Sequence, residues 1–240
     1  MVCNFTLQHY EEICKLISKS NYNVVFFNKD LDNGKKILIL RHDVDLSLEQ
    51  SLKMAIIENK YNIKSTFFIW LSSPFYNVFE KEYSDIIFKI IKLGHKIGLH
   101  FDEYSYKISN EEDLNHFIEK EVEILNTYFN LNIDVISMHR PSKWILDNDI
   151  KLNNYINTYS KKYLKEFKYI SDSRMQWREG CVCKKIDSEL YPKLHLLLHP
   201  IWWVEKEKNL DSKLTEFIIK KDYKIKSDLE KNISTYKMKR

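Results

Sequence analysis

Ile37-Leu38-Ile39-Leu40-Arg41-His42-Asp43-Val44-Asp45 decides the reading of this chain. Four consecutive aliphatic residues suit a strand buried on both faces, as in a parallel sheet. The carboxyl end of such a strand is where loops converge and ligands bind. Asp43 and Asp45 stand two apart, so an extended chain points both carboxylates to one side. Two like charges so placed are costly unless a cation or a shared proton compensates them. A metal-bound carboxylate beside a free one meets that requirement; an Asp-rich turn is the plainer alternative.

Outward from this stretch the chain alternates. Residues 63–70 are β-branched and aromatic, as a strand prefers. Further strands are expected at 23–27, 96–100, 133–138, 168–170 and 194–198. Helices are expected at 6–18 (capped by Thr6), 46–59, 78–93, 111–129, 148–164 and 211–221. Asn33-Gly34 reads as a turn, Ser72-Ser73-Pro74 as a break and Gly94 as a helix stop. Strands alternating with helices imply α/β architecture built of parallel βα units, in a barrel or a doubly wound sheet.

Composition sets the bounds. With 240 residues, 44% of them hydrophobic and 30% charged, the chain can bury a sizeable core and is not disordered. Four Gly and four Pro leave little material for linkers, so residues 1–240 read as one domain. The Lys-rich end, from about residue 222, reads as a solvated face or frayed tail. A net charge of +4 is too mild to argue nucleic-acid binding. No apolar run approaches a membrane span, and the first residues lack the pattern of an export signal, which reads as a cytoplasmic location. Cys3, Cys14, Cys181 and Cys183 do not form a disulfide framework for a chain of this size. Cys181-Val-Cys183 could give two thiolates to zinc, but with no second pair at ligand spacing they read as partly buried strand thiols.

Five of the strands end in chemistry. Their last residues lead into Asp43 and Asp45, His100, His139-Arg140, Asp172 and His199. In a parallel barrel those ends gather at one mouth.

This succession resembles the polysaccharide deacetylase superfamily, also called the NodB homology domain or carbohydrate esterase family 4. Its phrasing is similar to a branch linked with surface-polysaccharide assembly. Arg41-His-Asp-Val-Asp45 resembles the first motif, with two acids spaced by one residue rather than adjacent. Gly94-His-Lys-Ile-Gly-Leu-His100 matches the phrase of the second, and His139-Arg140-Pro141 resembles the third. Asp172 with Trp177 resembles the fourth, and Leu196-Leu-Leu-His199-Pro200 the fifth. The motifs keep their order over residues 41–203, and the resemblance implies a distorted (β/α)7 barrel. One departure bears on the metal. Four residues after His100, where the family carries a second histidine, this chain has Tyr104. His139 is then the candidate third ligand, with His42 and Asp102 as alternatives.

The resemblance implies a metal-dependent deacetylase. Asp45, His100 and His139 are expected to hold a divalent ion; zinc suits a mixed His/carboxylate set, with Co, Mn, Ni and Fe as alternatives. Asp43, oriented by Arg140, is expected as the general base, and His199, oriented by Asp172, as the acid that protonates the leaving amine. Tyr104, Trp177, Arg178, Trp202 and Trp203 are expected to contact a sugar. The expected substrate is an acylated amino sugar, as a small-molecule or lipid-linked intermediate in glycan biosynthesis. A non-catalytic member that binds a glycan or a partner is the rival, motivated by Tyr104. His95 and His195 read as structural on strand parity, and His116 rides on a polar helix.

Overall fold

The computed structural model describes residues 3–28, 31 and 34–237, so Asn33 of the expected turn lies outside the described residues. The described chain divides after Glu205 into two compact units.

In the first unit, α1 (Leu7–Lys19) starts where the Thr6 hydroxyl accepts from His9 N at 3.2 Å. It buries Tyr10, Ile13, Cys14 and Ile17, a helical spacing. β1 is only two residues long (Asn23–Val24). The strand expected as far as Phe27 ends early, and Phe27 packs instead with Ile37, Ile39 and Phe68. β2 (Ile37–Val44) is buried throughout, and α2 (Leu48–Lys60) follows from a Ser47 cap. Next come β3 (Thr66–Ile69), α3 (Lys81–Lys92) and β4 (Lys96–Phe101). Gly94 takes φ +86° between the last two, a backbone that glycine adopts freely.

α4 (Glu111–Phe129) matches its expected span and leads to β5 (Val135–Met138). The helix expected at 148–164 is absent. The short α5 (Lys143–Asp147) precedes that stretch, which holds the two-residue β6 (Ile156–Asn157) and runs into a π-turn at Lys162–Glu166. The polar side chains there bond the backbone locally rather than leave it to a helix. The Asn157 amide donates to Ile150 O at 2.9 Å, and its oxygen accepts from Tyr159 N at 2.9 Å. β7 (Lys168–Ser171), α6 (Cys183–Ser188) and β8 (Lys193–Leu198) complete the unit.

All the strand pairings are parallel, along the path β6-β5-β4-β3-β2-β8-β7, with β1 beside the start of β2. The sheet curls into an incomplete, distorted (β/α) barrel; among the described residues no ladder joins β6 to β7. Curling is visible in Arg41, which leaves β2 and reaches Ser137 on β5 and Thr158 just past β6.

Strand alternation sorts side chains into two populations. On β2, Leu38 and Leu40 join the cluster around α1, whereas Ile37 and Ile39 meet Phe27, Phe68, Val135 and Tyr163 inside the barrel. The same alternation sends His42 outward and Arg41 and Asp43 inward. On β4 and β5, Leu99, Phe101, Ile136 and Met138 pack outward, leaving His100, Ser137 and His139 on the inner side. His195 corrects the parity argument. It shares its side of the strand with His199, two layers lower, where it meets Phe27 and Tyr169 edge-on. Burial there, with Arg41 nearby, pushes its pKa down to about 3, a neutral structural histidine.

The outward His42 finds Glu58 of α2. Its Nε2–H donates to Glu58 Oε1 at 2.6 Å, and Tyr10 and Ser65 hydroxyls donate to the same carboxylate at 2.5 Å each. His95 closes the network: Ser65 N donates to its Nδ1 at 3.2 Å, so Nε2–H is left to donate to Ala55 O at 3.1 Å. His42 and His95 are therefore packing histidines, and His42 is removed as an alternative metal ligand.

The second unit holds α7 (Leu210–Asn232), capped by Asn209, whose side chain accepts from Ser212 N at 2.8 Å. The Lys-rich segment is helical as far as Asn232, not frayed, and carries Lys224–Asp228 and Lys226–Asp222 pairs at 3.2 and 2.6 Å.

Glu58→Ala strips three buried donors of their acceptor. A loss of about 3–5 kcal/mol is expected, seen as a lower urea midpoint at an unchanged slope.

Candidate active site and metal centre

Three side chains converge where β2, β4 and β5 end. His100 Nε2 lies 2.9 Å from Asp45 Oδ1, His139 Nδ1 lies 3.1 Å from His100 Nε2, and His139 Nδ1 lies 3.3 Å from Asp45 Oδ1. Metal–N and metal–O bonds of about 2.0–2.2 Å put neighbouring ligand atoms about 2.8–3.6 Å apart. The donor set and its spacing therefore fit a divalent ion. With Nδ1–H given to Ser137 Oγ at 3.1 Å, the His100 Nε2 lone pair faces the cluster. His139 is held by the Trp70 ring, stacked at 4.0 Å and 28°. Without an ion, burial opposes the charge on Asp45, but His100 and His139 in their protonated forms outweigh it and hold its carboxyl well below the usual range. Asp102, the other alternative ligand, accepts from Tyr104 N at 3.2 Å and pairs with Arg140 instead.

Asp43 lies deeper, fully inside the barrel. Arg41 takes both of its oxygens, Nε to Oδ1 at 2.8 Å and Nη2 to Oδ2 at 2.7 Å. The rest of that guanidinium is spent on Thr158 Oγ1 (2.9 Å), Tyr159 OH (3.2 Å) and Ser137 Oγ. Burial raises the Asp43 pKa, but Arg41 and His100 outweigh it, so the carboxyl sits below its ordinary value. This corrects the expected role of Arg140. Its side chain is 65% exposed, takes a left-handed backbone at φ 49° and reaches Asp102 at 3.3 Å, while the orienting arginine of Asp43 is its own strand neighbour.

His199 faces the cluster from β8. Its Nδ1–H donates to Asp172 Oδ1 at 2.6 Å, which turns Nε2 toward Asp45 Oδ2, 3.9 Å away. Asp172 is fully buried and also accepts from His199 N at 3.0 Å and Trp203 Nε1 at 2.9 Å. Burial disfavours the imidazolium, but Asp172, Asp45 and Asp43 outweigh it and push the His199 pKa up to about 9.

The five expected sugar contacts separate. Trp203 has no exposed surface and serves Asp172, so it is a support and not a sugar platform. Trp177 is partly buried and stacked on Phe5 at 5.9 Å, and Trp202 is partly buried in the same cluster. Tyr104 is 65% exposed, with the Arg140 guanidinium 5.8 Å over its ring. Arg178 lines an open cavity with Tyr169, Ser171 and Ser173.

No family model and no curated protein matches the sequence. Among solved structures, the chain is similar to a family 4 carbohydrate esterase from Bacillus anthracis (17% identity, 89% of this chain and 85% of that chain, TM-score 0.47). It is also similar to the catalytic domain of a peptidoglycan N-acetylglucosamine deacetylase from Eubacterium rectale (15%, 82% and 89%, TM-score 0.48). A third is a CE4 family pseudoenzyme from Bacillus anthracis (15% identity, TM-score 0.46), where 79% of this chain spans only 63% of that one. At these scores the likeness carries no residue role or activity to this chain.

Arg41, Ser137, Tyr159 and Trp70 escape the sequence reading. Arg41 alone carried a signal, since it shares strand parity with Asp43 and a buried charge needs a partner. Gly98 supports the same machinery. A Cβ there would stand 2.5 Å from the Phe68 ring, which itself lies 5.2 Å from the Arg41 guanidinium. Gly98→Ala is expected to destabilise the protein by about 1–3 kcal/mol in chemical denaturation, by driving Phe68 onto Arg41. Arg41→Lys, which loses the fork onto Asp43, is expected to destabilise by about 2–3 kcal/mol. Arg140→Ala at an exposed position should stay within about 0.5 kcal/mol in the same measurement.

Proposed function

We propose that this protein is a metal-dependent hydrolase of the polysaccharide deacetylase superfamily, which removes an acyl group, acetyl in the first instance, from an amino sugar. One observation carries the reading: the Asp45-His100-His139 cluster stands between an Arg41-held carboxylate and an Asp172-held imidazole. The ordered motifs from Arg41 to His199 support it from the sequence side.

Asp45, His100 and His139 would hold the ion, and a divalent ion bound there supplies a Lewis acid that polarises the acyl oxygen and acidifies water. Zinc suits this donor set. Asp43 stands next to the ligands, its Oδ2 3.9 Å from His100 Nε2. Arg41 fixes the plane of that carboxylate and keeps it ionised, so that it accepts the proton of the attacking water. On the other side, the bond from Nδ1 to Asp172 commits His199 to present Nε2. Protonated, that nitrogen gives its proton to the departing amine as the C–N bond breaks. The opposite shifts of the two groups support this division into base and acid. Tyr104 and Arg178, both reachable from solvent, are the proposed sugar contacts, with the partly buried Trp177 and Trp202 behind them.

Purified protein should release acetate from N-acetylated amino sugars. Asp43→Asn and His199→Gln are expected to lower kcat by about 10²–10⁴ with metal retained, whereas His139→Ala loses metal and turnover together. Parallel assays on activated monosaccharides, lipid-linked sugars and polymers set the substrate's scale. Metal and glycan binding that survive intact in Asp43→Asn, with no acyl release from any of these by the wild type, would replace the enzyme with a binding protein.

A further inference from the structure

We propose that Cys3, His9, Cys181 and Cys183 form a second metal site, a closed Cys3His zinc centre remote in sequence from the ligands at the barrel mouth. The four come from three places: the segment before α1, the first turn of α1 and the junction of the loop with α6. One ligand atom from each lies within 4.8 Å of all the others. Cys3 Sγ is 3.4 Å from Cys183 Sγ, and His9 Nε2 is 3.2 Å from Cys181 Sγ. Zinc–sulfur bonds of about 2.3 Å and zinc–nitrogen bonds of about 2.0–2.1 Å place tetrahedral neighbours about 3.5–3.8 Å apart. Small side-chain adjustments span the difference.

Two further observations point to an ion rather than to chance packing of thiols. His9 is buried, and its Nδ1 faces Glu12 Oε2 at 3.3 Å. With Nδ1–H on that carboxylate, Nε2 presents a lone pair to the sulfurs, the carboxylate–histidine arrangement that orients zinc ligands. Second, Cys3, Cys181 and Cys183 are all free thiols, none of them spent in a disulfide. A divalent ion bound there would take them as three thiolates, with three protons leaving to solvent and no oxidant consumed. The expectation of partly buried strand thiols at Cys181 and Cys183 is corrected here, since Cys183 opens α6 and Cys181 lies in the loop just before it. The missing partners stood some 170 residues away, beyond any spacing rule.

Such a centre would clamp residues 3–9 onto the loop before α6. Between them Phe5 packs edge-on to Trp203 at 5.3 Å and stacked on Trp177 at 5.9 Å. Trp203 holds Asp172, so the clamp would brace the wall behind His199. Its role is structural: four protein ligands leave no position for substrate.

Reduced protein loaded with cobalt tests the site by its spectrum. The wild type should show intense thiolate-to-cobalt charge-transfer absorption. Cys183→Ser should lose most of it, together with one equivalent of zinc per chain in metal analysis. Cys3→Ser, at an exposed position whose replacement leaves the fold intact by circular dichroism, should do the same. His139→Ala, which removes a ligand at the barrel mouth, should keep the band. A wild type that takes up cobalt without the band would overturn the proposal. So would unchanged zinc content in both cysteine variants, or reduced protein that binds no zinc and closes a disulfide among these residues on oxidation.

Discussion

The bidentate pair between Arg41 and Asp43 is the constraint on which the rest depends. A guanidinium with no exposed surface, on a strand buried along its whole length, must find every hydrogen bond inside the protein. Asp43 fills only part of that requirement. The remainder comes from Ser137, Thr158 and Tyr159, which belong to the far side of the sheet in strand order. A flat sheet cannot bring those groups to β2. The curl of the barrel is thus tied to the solvation of one side chain. Buried ion pairs of this kind are poor sources of stability, because two charges have been taken out of water. Keeping one here makes sense for a carboxylate that must stay charged in a dry place.

Legibility in the sequence follows how local the cause is. The run 37–45 and the helix 111–129 were readable because period and capping act over a few residues. The strand-end acids and histidines were readable for the same reason: each polar residue follows directly on an apolar run. Residues 148–164 were not, because Asn side chains bond the backbone in patterns that mimic no period, and β6 exists only by pairing with β5. Arg140 looked like the partner of Asp43 by motif, yet its left-handed backbone sends it to Asp102. The true partner, Arg41, stands two residues before Asp43 inside the same motif. Trp203 followed a similar course: an aromatic near a site mouth suggests sugar stacking, but only burial reveals that its indole serves Asp172.

His139 has a consequence of its own. Two histidines four residues apart on one segment would move as a unit, so their spacing would be indifferent to the shape of the sheet. Here Asp45, His100 and His139 stand at the ends of three different strands, β2, β4 and β5, and β3 runs between the first two. Any breathing of the sheet, whose β6 and β7 edges are not laddered together among the described residues, changes the distances between the ligands themselves. An ion gripped by the three would stiffen the barrel, and a barrel that splays would release the ion. Affinity for metal and rigidity of the scaffold then become a single adjustable property, open to tuning from residues that touch neither ion nor substrate.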